Sequence, residues 1–111
     1  MLASRLDIVI QPSNRKYKKW KATIKSKDGV NKVIHYGDNR YEDYTMHKDD
    51  KRKQRYITRN MNQFEAWAFN RENLLKPAFY AKWLLWHEPT FEESIKSVNK
   101  KIRGIGRIRL A

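Results

Sequence analysis

The chain has 111 residues, 40% of them hydrophobic and 13% aromatic, which provides for one domain with a modest core and argues against disorder throughout. Its 25 Lys and Arg stand against 12 Asp and Glu, a formal net charge of +13 that suits a polyanion or an acidic protein surface as partner. Cys is absent, which excludes a disulfide framework and a thiolate metal site, and the longest apolar runs fall far short of a membrane span.

The N-terminus, Met1-Leu-Ala-Ser-Arg-Leu-Asp7, lacks the charged start and long apolar stretch of a secretory signal. An intracellular life, or one inside a particle assembled there, is expected. The apolar run Ile8-Val9-Ile10 stops at Pro12 and Asn14. Residues 1–15 therefore read as a short strand or an arm that packs on something else. From Lys16 to Lys25 the pattern alternates: Trp20, Ala22 and Ile24 point one way, and Lys19, Lys21, Thr23 and Lys25 the other. Period two predicts a half-buried strand with a cationic outer face. Asp28-Gly29 supplies a turn, because this pair readily takes positive φ angles, and Asn31–Tyr36 returns as the second strand of a β-hairpin.

The next element is helical. Lys48, Lys51, Arg52, Arg55 and Arg59 follow the spacing i, i+3, i+4, i+7, i+11 and fall inside one arc of roughly 100°. Ile57, Met61 and Phe64 fall on the opposite side, which is expected to dock on the core. Like charges along one stripe disfavour an isolated helix, so an outside partner is expected to compensate. Residues 62–76 show no clear period and read as a helix end and a connection. Pro77 suits a first helical turn, and Ala78–Trp86 is apolar nearly all round, as in an interior or interface helix. Glu88-Pro89 breaks that helix. Thr90-Phe-Glu-Glu93 is a capping box, and Phe91, Ile95, Val98 and Ile102 form a stripe at helical spacing that ends at Gly104. The tail 104–111 is basic and glycine-containing, and is expected to be loose.

The expected fold class is α+β: an N-terminal β-hairpin, about three α-helices and a basic C-terminal tail. Residues 1–111 form a single small basic domain with an arm (about 1–15) and a tail (about 104–111). The core is expected to combine Trp20, Ile24, Ile57, Trp83, Leu84, Phe91, Ile95 and Val98.

Reaction chemistry finds little support. His35, His47 and His87 lie on separate elements, with no carboxylate at zinc-motif spacing. Glu42, Asp43, Asp49 and Asp50 cluster near His47, but Asp49 and Asp50 sit where a helix start favours carboxylates, and a two-metal nuclease needs acids from several elements. Ser and Thr lack a partnered base, and no glycine loop could cradle a phosphate. No catalytic residue, metal ligand, cofactor or small-molecule substrate is assigned.

What remains is basic surface. The candidate residues for a polyanion or an acidic partner are Lys19, Lys21 and Lys25 on the hairpin, Lys48, Lys51, Arg52, Arg55 and Arg59 on the helix stripe, and Lys100, Lys101, Arg103, Arg107 and Arg109 towards the end of the chain. Tyr17, Trp20, Tyr41 and Tyr44 are interleaved with the first two groups. Cations neutralise phosphates and exposed rings can stack on unpaired bases. A Lys-rich surface suits phosphate contact better than base reading.

From His35 onward the sequence resembles a family of small, basic, uncharacterised proteins of large double-stranded DNA viruses. The residues that carry the resemblance are His35-Tyr-Gly37, Tyr41-Glu-Asp-Tyr-Thr-Met-His-Lys-Asp49, Arg52-Lys53, Tyr56, Arg59, Trp83-Leu-Leu-Trp86, Pro89-Thr90 and Glu93-Ser94-Ile95. The resemblance implies a viral setting and transfers no functional residue. Two roles are expected from it. One is a non-enzymatic virion structural protein, of the minor-capsid or internal-scaffold kind, whose basic faces and arms bridge larger acidic subunits. The other is a nucleic-acid-binding protein, for DNA or RNA, associated with the viral genome.

Overall fold

Alternation of apolar and polar residues builds the first third of the chain. In the computed structural model, which describes residues 4–111, β1 (Leu6–Pro12) buries Leu6, Ile8 and Ile10 and turns Asp7, Val9 and Gln11 the other way. β2 (Lys18–Lys25) pairs with it antiparallel, Ile8 opposite Ile24 and Ile10 opposite Ala22. β3 (Asn31–Asp38) returns antiparallel to β2 through the turn at Ser26–Val30, with Gly29 at φ 108°. The predicted hairpin is thus present, and it is the outer half of a larger sheet. The four-stranded sheet has the order β3-β2-β1-β4, with β4 (Gly106–Leu110) parallel to β1.

Two expectations are corrected by this sheet. Residues 1–15, read as a short strand or an arm, hold β1, an inner strand, which keeps the first alternative and removes the second; residues 1–3 lie outside the described residues. The segment read as a loose tail is β4. Three features hold it. Ile108 is 1% exposed and lies in the core. Gly106 lets β4 approach β1: a Cβ there would stand 2.8 Å from the Leu6 carbonyl oxygen. The Asn99 side chain donates from Nδ2 to the Ile108 carbonyl (2.9 Å) and accepts the Ile108 N–H at Oδ1 (2.8 Å). It thereby satisfies two peptide groups of an edge strand, as a neighbouring strand would.

The helical segments lie on the face of the sheet that carries Leu6, Ile8, Ile10, Ala22, Ile24, Ile34 and Tyr36. α1 (Tyr44–His47) and α2 (Asp50–Arg59) come first. Two 3-10 segments follow, Met61–Trp67 and Asn73–Leu75. α3 (Pro77–Tyr80) runs on as a π-helical stretch, Ala81–Leu85, and α4 (Phe91–Lys101) closes the layer. α4 forms where predicted and ends at Lys101: the Thr90 hydroxyl accepts the Glu93 N–H (3.1 Å), one half of the capping box, and Ile95, Val98 and the C-cap Ile102 are buried. Phe91 is half-buried and stacks on Trp20, with ring centroids 4.6 Å apart. The 77–86 helix is interior along one side, burying Phe79, Tyr80, Leu84 and Leu85. Among the described residues, no helix is long and apolar enough to cross a membrane.

The orientation of α2 departs from the wheel. None of its residues is buried. Ile57 is half-buried and outside the core cluster, while Met61 and Phe64 are 50% and 58% exposed. The physical reason is that the α-helical period stops at Asn60, where the chain tightens into a 3-10 segment, so Met61 and Phe64 leave the face on which Ile57 lies. α2 is attached instead by Tyr56, stacked on Trp86 (4.4 Å between centroids, 2° between planes), and by Lys53, whose Nζ donates to the His87 carbonyl (2.6 Å). Lys48 is not part of α2 either. It caps α1 in a left-handed conformation (φ 55°), and α2 starts only after its own N-cap, Asp49.

Candidate functional site

The helical layer covers one face of the sheet. The other face is open, and the strand register decides what it displays. Asn31, Lys25, Asp7 and Arg107 form one cross-strand row; Val33, Thr23, Val9 and Arg109 form the next; His35, Lys21 and Gln11 form a third. Neighbouring strands lie ~4.8 Å apart, so side chains within a row are neighbours. Four sequence-predicted cations, Lys21, Lys25, Arg107 and Arg109, are therefore brought to one face from β2 and β4, although 80 residues separate the two strands in sequence. Asp7 is the single carboxylate among the described strand residues of this face.

The field there is positive. The His35 imidazole accepts or donates at Nδ1 to the Ser13 hydroxyl (2.8 Å), and its pKa lies below the ordinary histidine value. Partial burial is the leading cause, and the charges of Arg15, Lys21 and Lys18 add to it. The charges of Arg15, Lys21 and Lys18 reach the same ring, so His35 sits among cations.

A second basic locus is a cleft of about 640 Å³ between α2 and the connection from β3 to α1. Arg52, Arg55, Tyr56 and Arg59 line it from α2, at i, i+3, i+4 and i+7. The face of α2 predicted to be cationic thus turns largely towards the rest of the molecule, and Lys51 is left exposed outside the cleft. Lys19, Asp38, Glu42 and Asp43 line the facing wall, with Leu85 and Trp86 completing it.

Most charges of the cleft are matched. Lys19 Nζ donates to Asp43 (2.6 Å), so this lysine is withdrawn from the cationic sheet face on which alternation put it. Asp43 is 3% exposed; it also accepts the Thr45 N–H (2.9 Å) and the Thr45 hydroxyl, capping α1. Arg40 holds Asp38 with two parallel hydrogen bonds (3.0 and 2.8 Å), and these bonds, before any longer-range charge, bring its carboxyl down to about 2. Arg52 reaches Glu42 at 3.4 Å. Arg55 and Arg59 make no ion pair among the described residues. Burial lifts the Tyr56 hydroxyl to about 12, so it stays a neutral donor at physiological pH.

The acidic cluster weighed as a metal site has other occupations. Asp49 accepts the Lys51 and Arg52 N–H groups at the start of α2, and Asp50 accepts the Tyr44 hydroxyl (2.6 Å). His47 Nδ1 accepts the Asp49 N–H (2.9 Å). Among the described residues, no group of His, Asp and Glu could hold a metal ion. The remaining predicted cations are not gathered with these two loci: Lys100, Lys101 and Arg103 are exposed at the end of α4, in the helical layer.

Sequence reasoning missed Lys82. It is 6% exposed, lies over the Trp83 ring (4.0 Å to the centroid) and near that of Trp67 (5.5 Å), and is brought down to about 8 by burial, with help from the charge of Lys53. An apolar run carrying one lysine gave no sign that the lysine points inward; the wider π-helical turn at Ala81–Leu85 is a feature of the folded backbone.

The chain is similar, over residues 8–60, to a family described as "Family of unknown function (DUF5754)". That match takes in most of β1, all of β2 and β3, α1 and α2, and ends at the C-cap of α2, so it includes the Arg-lined face of the cleft and leaves out β4. No curated protein and no solved structure matches the chain.

Proposed function

We propose that this protein is a non-enzymatic nucleic-acid binder that holds the phosphate backbone on the open face of its sheet. The observation that carries the reading is the convergence of Lys21, Lys25, Arg107 and Arg109 on a face no helix covers, opposed by Asp7 alone among the strand residues described there. His35 is the one ring among the strand residues of that face, so contact with phosphates, with little base stacking, is the mode supported. Binding of this kind releases counterions. Four contacts would give log affinity a slope of about −3 to −4 against log salt.

The test is fluorescence anisotropy of labelled duplex and single-stranded oligonucleotides at several salt concentrations. Saturable binding at physiological salt, lost in the double variant Lys21→Glu, Arg109→Glu, is the expected result. Binding that vanishes at physiological salt in the unmodified protein would sink the reading.

A second reading rests on a different observation. Met61 and Phe64 stand 50% and 58% exposed just beyond α2, an apolar pair suited to a protein neighbour. With the resemblance to proteins of large double-stranded DNA viruses, this supports a minor-capsid or scaffold role in a virion, in which the basic faces bridge acidic subunits. The arms of that expectation drop out of it, since both segments belong to the sheet. Absence of the protein from purified particles would end this reading.

A further inference from the structure

We infer that the cleft between α2 and the β3–α1 connection is a separate site for a nucleoside phosphate, in which Arg55 and Arg59 hold the phosphate beside the Tyr56–Trp86 ring pair. This inference does not rest on the sheet-face reading, and the two loci share no residue. The cleft, about 640 Å³, is in the size range of small-molecule sites.

Charge identifies the phosphate. Lys19, Arg40 and Arg52 are each paired with a carboxylate, which leaves Arg55 and Arg59 as the cations of the α2 wall that make no ion pair among the described residues. They are four residues apart, adjacent on the helix surface, where like charges repel. A phosphate monoester carries close to two negative charges at neutral pH, which suits two guanidiniums better than the single charge of a carboxylate.

Volume and surface identify the rest of the ligand. The space far exceeds what a bare phosphate fills, and part of its lining is aromatic and aliphatic: Tyr56 and Trp86, stacked on each other within 2° of parallel, together with Leu85 and Ala81. Tyr41, 69% exposed at the rim, supplies a further ring. Flat rings favour a flat partner, and the carboxylates of Glu42 and Asp38 can accept from base or sugar N–H and O–H groups. The nucleoside phosphate could be a free nucleotide or the phosphorylated end of a strand; the cleft chemistry is the same for both.

The experiment is isothermal titration calorimetry of the full chain with AMP, adenosine and inorganic phosphate. AMP is expected to saturate below about 1 mM, with adenosine and phosphate each weaker by about tenfold or more. Arg55→Gln with Arg59→Gln, both exposed positions, is expected to lower AMP affinity by about tenfold while the melting temperature is retained. Lys27→Gln with Lys96→Gln, removing equal charge elsewhere, is expected to leave it unchanged. Competition by a 5′-phosphorylated oligonucleotide, and not by its unphosphorylated twin, identifies a strand end as the source; competition by neither identifies the free nucleotide. The inference is overturned by AMP affinity equal to that of adenosine, by no change in the arginine variant, or by no AMP binding at all. A glutamate-rich peptide that binds through Arg55 and Arg59 where AMP does not would also overturn it, and would make the cleft a protein-docking site. AMP binding without any oligonucleotide binding at physiological salt would leave this site standing and remove the sheet-face reading.

Discussion

The sheet with α4 and the α1–α2 segment are held to the molecule by different physics. The sheet is fixed by apolar burial: Ile8, Ile24, Ile102 and Ile108 are each 0 or 1% exposed. α2 buries none of its residues; caps, one stacked ring, the Arg52–Glu42 ion pair and hydrogen bonds from Lys53 to the His87 carbonyl and from the Tyr44 hydroxyl to Asp50 attach it. Burial of that kind costs the sheet one of its faces and leaves the other free to display charge. Attachment through a few polar and aromatic contacts leaves a cleft under α2 that water or a ligand can fill. The contrast teaches where uncovered surface and open space remain: on the outer face of the sheet, and beneath α2, which buries none of its residues.

The sharpest way to break this contrast is to attack the packed layer. Ile108→Ala is expected to cost about 2–5 kcal/mol in urea-induced unfolding, because it empties a filled site in the core and loosens β4. A cost near zero would mean that β4 is not part of the cooperative unit. Asn99→Ala leaves the Ile108 N–H and carbonyl without their partner; a loss of about 1–3 kcal/mol is expected. Faster amide exchange at Ile108 should accompany it.

Attacking the other region should have a smaller and more local effect. Tyr56→Ala removes a ring pair worth about 0.5–1.5 kcal/mol beyond the area it buries. Hydrogen exchange is expected to quicken along Asp50–Arg59 while protection in β1 and β2 is kept. Equal loss of protection in both regions would show that α2 and the sheet unfold as one.

The smallest effect is on pH dependence. His35, His47 and His87 all have pKa values below the ordinary histidine value, with burial the leading cause in each. A folded chain that resists protonation is outcompeted by the unfolded chain as pH falls. Their contribution to stability is therefore complete above an ordinary imidazole pKa of about 6.5 and is lost as pH drops below it. Urea midpoints measured from pH 7.5 down to 5.5 should fall; a flat profile would contradict the shifts. Nucleic acid on the open face would oppose the effect at His35, and its NMR titration should move back towards the ordinary value in the complex.

Much of the local structure was legible in the chain itself. Alternation at Trp20, Ala22 and Ile24 predicted β2 and its inward side. Asp28-Gly29 placed the turn to β3, and Thr90 with Glu93 marked the start of α4. These features depend on neighbours a few residues away, and periodicity and capping record such relations directly. The net charge and the absence of Cys were equally plain.

Tertiary structure alone decided the rest. Ile8-Val9-Ile10 and Arg107-Ile108-Arg109 are too short for either to reveal that it pairs in parallel with the other, nearly the whole chain away. Consequently an inner strand read equally well as an arm, and an edge strand read as a tail. The gathering of Lys21 and Lys25 with Arg107 and Arg109 follows from that pairing, which no local pattern encodes. The turn of Arg52, Arg55 and Arg59 towards a cleft was likewise hidden. A helical wheel gives the relative angles of side chains, whereas the rotation of the helix about its axis is set by what it meets, here Trp86 and the His87 carbonyl. Within α2 the period gives which residues share a face; where the helix stops, and which way that face looks, is decided by long-range packing.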